Sequence, residues 1–70
     1  MEEKTVRQVL QEFRKESGDS FGEGPIVTIR KNRSTTYIGT ASYFMFNGAY
    51  TNLCNKIPKI VDYKNNIIIL

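Results

Sequence analysis

The segment Ile26-Val27-Thr28-Ile29-Arg30-Lys31 is followed by the polar Asn32-Arg33-Ser34 and then by Thr35-Thr36-Tyr37-Ile38-Gly39-Thr40. Both flanking runs are rich in β-branched and aromatic residues, which fit a pleated surface better than a helix. Their spacing predicts a hairpin of strands 26–31 and 35–40 around a turn at 32–34. Val27 and Ile29 then lie opposite Thr36 and Ile38, or opposite Tyr37, according to register.

Before the hairpin, Gly18-Asp19-Ser20-Phe21-Gly22-Glu23-Gly24-Pro25 holds three glycines and a proline and reads as a loop. Phe21 is its one large apolar residue and is expected to plug the edge of the core. Upstream, Thr5-Val6-Arg7-Gln8 has the pattern of a capping box. Val6, Val9, Leu10 and Phe13 continue at i, i+3, i+4 and i+7, the apolar stripe of an amphipathic helix over residues 5–16. Gly18 suits the left-handed position beyond the helix end.

After the hairpin, Ala41-Ser42-Tyr43-Phe44-Met45-Phe46 fits neither period cleanly and reads as a turn of helix or an irregular segment ended by Asn47-Gly48. Residues 49–55 read as a loop with Tyr50 and Leu53 turned inward. Lys59-Ile60-Val61-Asp62-Tyr63 is a third strand with Pro58 at its start. Lys64-Asn65-Asn66 is a tight turn, since asparagine tolerates positive φ. Ile67-Ile68-Ile69-Leu70 is a fourth strand. Its four successive aliphatics point to burial on both faces or to pairing with another molecule as an oligomer strand. The whole is an α+β fold: an N-terminal amphipathic helix packed on a small, mainly antiparallel four-stranded sheet, in the order α-β-β-β-β.

Length and composition bound the function. Seventy residues make one domain, 1–70, and a chain this short buries only about 60% of its unfolded surface. Oligomerisation is a common remedy for so small a core. There is no histidine, so imidazole-based triads and proton shuttles are excluded. With one cysteine, Cys54, neither an intramolecular disulfide nor a zinc site can be assembled. Cys54 beside Lys56 reads as a small semi-buried hydrophobe rather than a nucleophile. The carboxylates Glu2, Glu3, Glu12, Glu16, Asp19, Glu23 and Asp62 are scattered, and a solvated surface is their default place. The glycine-rich 18–24 segment follows a helix and precedes a strand, the reverse of a phosphate cradle. The expectation is a protein without catalytic residues, metal or cofactor. The acidic start Met1-Glu2-Glu3 is unlike a signal peptide, and the longest apolar run, 67–70, falls far short of the ~20 residues of a membrane span. The expected setting is therefore cytoplasmic, with no membrane partner.

Charge is unevenly spread. Residues 1–24 carry four basic and six acidic groups, and residues 25–70 carry six basic and one acidic, so the helical end is net −2 and the sheet end net +5. Arg30, Lys31 and Arg33 cluster at the hairpin tip, with Tyr37, Tyr43, Phe44 and Phe46 following. Cations interleaved with aromatics can hold phosphates and stacked bases of single-stranded nucleic acid. The bland reading is a solvated tip that guards a sheet edge. Protein–protein binding is the stronger expectation: the 67–70 strand and the aromatic 43–50 segment exceed what one helix covers, and such surplus marks interfaces, commonly those of a symmetric dimer.

Ile, Asn and Lys make up 20 of the 70 residues, a usage favoured by A/T-rich codons. The layout Thr5-Val6-Arg7-Gln8-Val9-Leu10, then Val27-Thr28-Ile29, then Tyr37-Ile38-Gly39-Thr40-Ala41 and an aliphatic hairpin resembles the short accessory proteins of low-GC Gram-positive phages and mobile elements. That resemblance implies a phage-encoded regulator or inhibitor of a host protein, including a defence nuclease. Many inhibitors of nucleic-acid enzymes are acidic DNA mimics, and the basic balance of this chain disfavours that route.

Overall fold

In the computed structural model, which describes residues 3–18 and 22–70, Thr5 caps a helix α1 at Val6–Glu16. The Thr5 hydroxyl accepts from the Gln8 N–H, and the Gln8 side chain accepts from the Thr5 N–H at 2.9 Å, so the capping box is complete. The Ser17 and Gly18 N–H groups donate back to Phe13 and Lys15, with Gly18 at φ 76°. The expected role of Phe21 lies outside the described residues.

Strands β1 (Ile26–Arg30) and β2 (Thr36–Thr40) form the expected hairpin. Its tip is fixed by Asn32, whose side-chain oxygen accepts from the Ser34 and Thr35 N–H groups, and by Lys31 N–H donating to the Thr35 carbonyl. This tip sets the register: Val27 lies opposite Gly39 and Ile29 opposite Tyr37. Of the alternatives, Tyr37 is therefore the residue facing Ile29, and Ile38 pairs with Thr28 on the other face.

Residues 41–54 are helical. Helix α2 (Ala41–Phe46) is capped by the Thr40 hydroxyl, a 3-10 turn spans Gly48–Tyr50, and a short α3 (Thr51–Cys54) follows. The turn of helix expected at 41–46 is present, whereas the loop expected at 49–55 is helical for most of its length. The reason is topological. The sheet order is β2-β1-β4-β3, with β3 at Ile60–Asp62 and β4 at Ile67–Ile69. The chain leaves β2 at one edge and must cross the sheet to β3 at the other. Helical turns make that crossing with their backbone groups satisfied internally.

Two of the three strand pairings are antiparallel, and β1–β4 is parallel, so the sheet is mixed. Asp62 shapes the β3–β4 turn by accepting from the Lys64 and Asn65 N–H groups, and Asn66 takes φ 55°. Strand β4 is interior, hydrogen-bonded on both sides. Its aliphatic run is thus accounted for by a central position. Its backbone is not free to pair with a second molecule, which corrects the expectation of an oligomer strand at Ile67, Ile68, Ile69 and Leu70.

The core lies between the sheet and the helices. Val6, Val9, Leu10 and Phe13 from α1, Ala41 and Phe44 from α2, and Leu53 and Cys54 from α3 close over Val27, Ile29 and Ile68. Phe13 meets Tyr63 edge-on beyond β3, and the Val6 N–H donates to the Lys56 carbonyl, tying the start of α1 to the end of the crossing. Gly24 has φ 78°, and a Cβ there would lie 2.7 Å from Arg14 Cγ and 3.2 Å from Ala41 Cβ. It is the point where the chain slips between α1 and α2 to enter β1.

Candidate functional site

Strand side chains alternate between faces. Because Val27, Ile29 and Ile68 turn into the core, Ile26, Thr28 and Arg30, their register partners Ile38 and Thr36 on β2, Ile67 and Ile69 on β4, and Ile60 and Asp62 on β3 all share the opposite face. No helix of the described residues covers it. Ile26, Ile38 and Ile60 are 65%, 69% and 58% exposed, and Ile67 and Ile69 are half-buried. Five isoleucines thus share one open sheet face. The signal for Ile26 was present in the two-residue period of β1. The gathering of Ile38, Ile60, Ile67 and Ile69 beside it depends on the strand order, which no local pattern encodes.

The hairpin tip is the second feature. Arg30, Asn32 and Arg33 line a shallow depression of ≈ 290 Å³ with Ile69 and Leu70. Lys31 is exposed beside it. The structure does not bring the predicted aromatics to this place. Tyr37 and Tyr43 lie on the helical side of β2, Phe44 is fully buried, and Phe46 is exposed with the Arg14 guanidinium 5.5 Å from its ring centroid.

The aromatics form their own cluster instead. Tyr50 stands at its centre, with Tyr37, Tyr43 and Phe44 at 5.4, 5.5 and 5.2 Å between ring centroids. Hydrogen bonding with the Tyr43 side chain, the Tyr50 hydroxyl donating, pushes the Tyr50 phenol up from its ordinary value. Tyr50 was expected only as an inward-facing loop residue. The cluster borders a groove of ≈ 500 Å³ that runs along β2 and is closed at one end by Glu23. Gly39 makes room for it, since a Cβ there would lie 2.9 Å from Tyr43 Cδ2.

No protein family, curated protein or solved structure matches this chain. The chemistry of its side chains must speak alone. Cys54 is buried, its thiol donates to the Phe44 carbonyl at 3.2 Å, and burial pushes that thiol up, so little thiolate forms. Glu12 accepts from Lys4 and from the Tyr63 hydroxyl, and the Lys4 amine holds its carboxyl below the usual value. Asp62 is lowered by the Asn65 side chain and by backbone N–H groups. Both carboxylates are engaged in structure. Among the described residues, no three His, Cys, Asp or Glu side chains gather as metal ligands, and no helix is long and apolar enough to cross a membrane.

Proposed function

We propose that this chain is a non-enzymatic protein-binding module that docks through the open face of its sheet and acts as a homo-oligomer. The observation that carries this reading is the uncovered face bearing Ile26, Ile38, Ile60, Ile67 and Ile69. A contiguous apolar patch rimmed by polar groups is the usual signature of an interface. Thr36, Thr40 and Asp62 stand at its edges, and Thr28 and Arg30 on the interior β1 lie between the isoleucines of β2 and β4, where Arg30 can orient a partner. The resemblance to phage accessory proteins extends the proposal to a cytoplasmic regulator or inhibitor of a host protein.

The test is site-resolved photocrosslinking in cells, with the reactive group at position 26 or 60 on the face and at position 15 or 16 on the outer side of α1. One discrete adduct is expected from 26 and 60 only, and it should vanish when Ile38→Lys is added. Equal adducts from all four positions, or none from the face, would overturn the reading.

A second reading, single-stranded nucleic-acid binding, is favoured by one observation: Arg30, Asn32 and Arg33 converge on a single depression. Phosphate contacts through them would make affinity for an oligonucleotide fall steeply with salt and with Arg30→Ala/Arg33→Ala. Fluorescence anisotropy at low salt decides it, since absence of binding there eliminates the reading.

A further inference from the structure

We infer that the outer edge of β2 pairs with β2 of a second copy, antiparallel about Ile38, to make one continuous eight-stranded sheet. This deepens the homo-oligomer part of the proposed function and rests on it.

The sheet has two edges, and they differ. The β3 edge has three residues, with Pro58 and Lys59 before it and Asp62 and Lys64 at its end. Short length, proline and charge are how proteins close an edge to further pairing. The β2 edge has five residues, Thr36-Tyr37-Ile38-Gly39-Thr40, with no charge, proline or bulge. Its free backbone groups follow from the ladder. Thr28 N–H donates to Asn66 and the Arg30 carbonyl accepts from Leu70, so even-numbered β1 residues bond toward β4. Val27 and Ile29 therefore bond Gly39 and Tyr37, and the N–H and C=O groups of Thr36 and Ile38 and the N–H of Thr40 point outward.

The strand complements itself. With Ile38 opposite Ile38, Thr36 falls opposite Thr40 and Tyr37 opposite Gly39. On the helical side, each Tyr37 comes beside the other copy's Gly39, whose face the Tyr43 ring of that copy already covers. On the open side, Ile38 meets its own copy, and the two isoleucine faces merge into one surface. Charge agrees with this register. The hairpin tip of one copy lies beyond Thr40 of the other, the end of β2 at which Glu23 lines the groove and its carbonyl accepts from the Ser42 N–H. Like charges do not meet on the axis. The footprint is the length of β2, roughly 17 Å, by the 20 Å thickness of the molecule. That is well under the roughly 800 Å² per partner of a standard interface, so the dimer is a weak, concentration-dependent one.

Sedimentation from low micromolar to millimolar protein tests this with three variants. The wild-type chain should pass from monomer to dimer, with exchange of the Ile38 and Thr40 amides slowing over the same range. Ile38→Lys and Ile38→Glu should each weaken association about tenfold or more, because like charges then face each other across the axis. Mixing the two should restore a dimer, which also shows that both fold. Ile60→Lys, on the same face but at the far edge, should leave association unchanged. A wild-type chain that stays monomeric throughout overturns this inference and the homo-oligomer reading together. A dimer that survives both Ile38 changes, or that Ile60→Lys dissolves, overturns the β2 edge alone.

Discussion

Gly24→Ala should be far more damaging than Gly18→Ala, although both glycines hold nearly the same left-handed φ, 78° and 76°. An alanine in that region costs about 1–2 kcal/mol from its own Cβ. At Gly18 nothing lies within 4 Å of the added carbon, so that penalty is the whole effect. At Gly24 the carbon meets Arg14 Cγ at 2.7 Å and Ala41 Cβ at 3.2 Å. Arg14 has little room to yield, being 6% exposed on a helix whose neighbours are core. Forcing a methyl into a packed site costs about 1–3 kcal/mol more. A domain of this length has about 4–10 kcal/mol in all. Each kcal/mol lowers the melting temperature by about 4–8 °C at this size. Thermal unfolding followed by circular dichroism should therefore show Gly18→Ala lower by about 4–15 °C, with Gly24→Ala lower by about one and a half to four times as much. Adding Arg14→Ala removes the offending Cγ. The double variant Arg14→Ala/Gly24→Ala should then lose less than the sum of its parts by more than about 0.5 kcal/mol. Equal shifts at the two glycines, or strict additivity in the cycle, would refute the packing of Gly24 against Arg14.

Three further outcomes can be measured. Gly39→Ala should cost about 1 kcal/mol or less, because Tyr43, half-exposed, can swing aside, and Tyr43→Ala should cancel the loss; a larger, uncancelled loss in a thermal melt would speak against the ring lying over Gly39. The Glu12 and Asp62 carboxyls are both lowered in the folded state, so their contribution is full above the unfolded value and is lost as pH falls through the folded values, which confines the pH dependence they cause to acid; Glu12→Gln/Asp62→Asn should flatten urea stability below about pH 4.5 and leave the slope around neutrality unchanged. Cys54 should react with a thiol reagent only through opening of the fold, at a rate that climbs with urea alongside unfolding; reaction at the speed of a free thiol in the native state would contradict its burial.

Much of the local structure was legible. Thr5 and Gln8 announce α1, Gly18 announces its end, Asn32 and Asn66 mark turns, and the β-branched runs mark β1 and β2. These signals are short-range and need no knowledge of the partner element. The crossing at 41–54 was only half legible. Its helices are four to six residues long, too short for a 3.6-residue period to declare itself, and α2 sets the exposed Tyr43 and Phe46 beside the buried Phe44, which blurs any apolar stripe. The place of β4 was not legible at all. Ile67-Ile68-Ile69 would serve equally in a buried interior strand or an intermolecular one, and only the pairing of Ile29 with Ile68 settles which. The open face suffered the same limit, since its isoleucines come from four strands. Arg30 and Arg33 line one depression at the hairpin tip, while the aromatics expected beside them lie on the helical side of the sheet.

The parallel pairing of β1 with β4 also governs when the protein can fold. The β1–β2 hairpin is local and forms from neighbouring residues. Its inner edge and the undersides of Val27 and Ile29 are completed only when Ile67–Ile69 arrive from far along the chain. Loop closure must be met before that ladder gives any return. On the ribosome, then, helix, hairpin and crossing emerge while the inner edge of β1 is still unpaired, and that edge is filled only when β4 arrives with β3 on its far side.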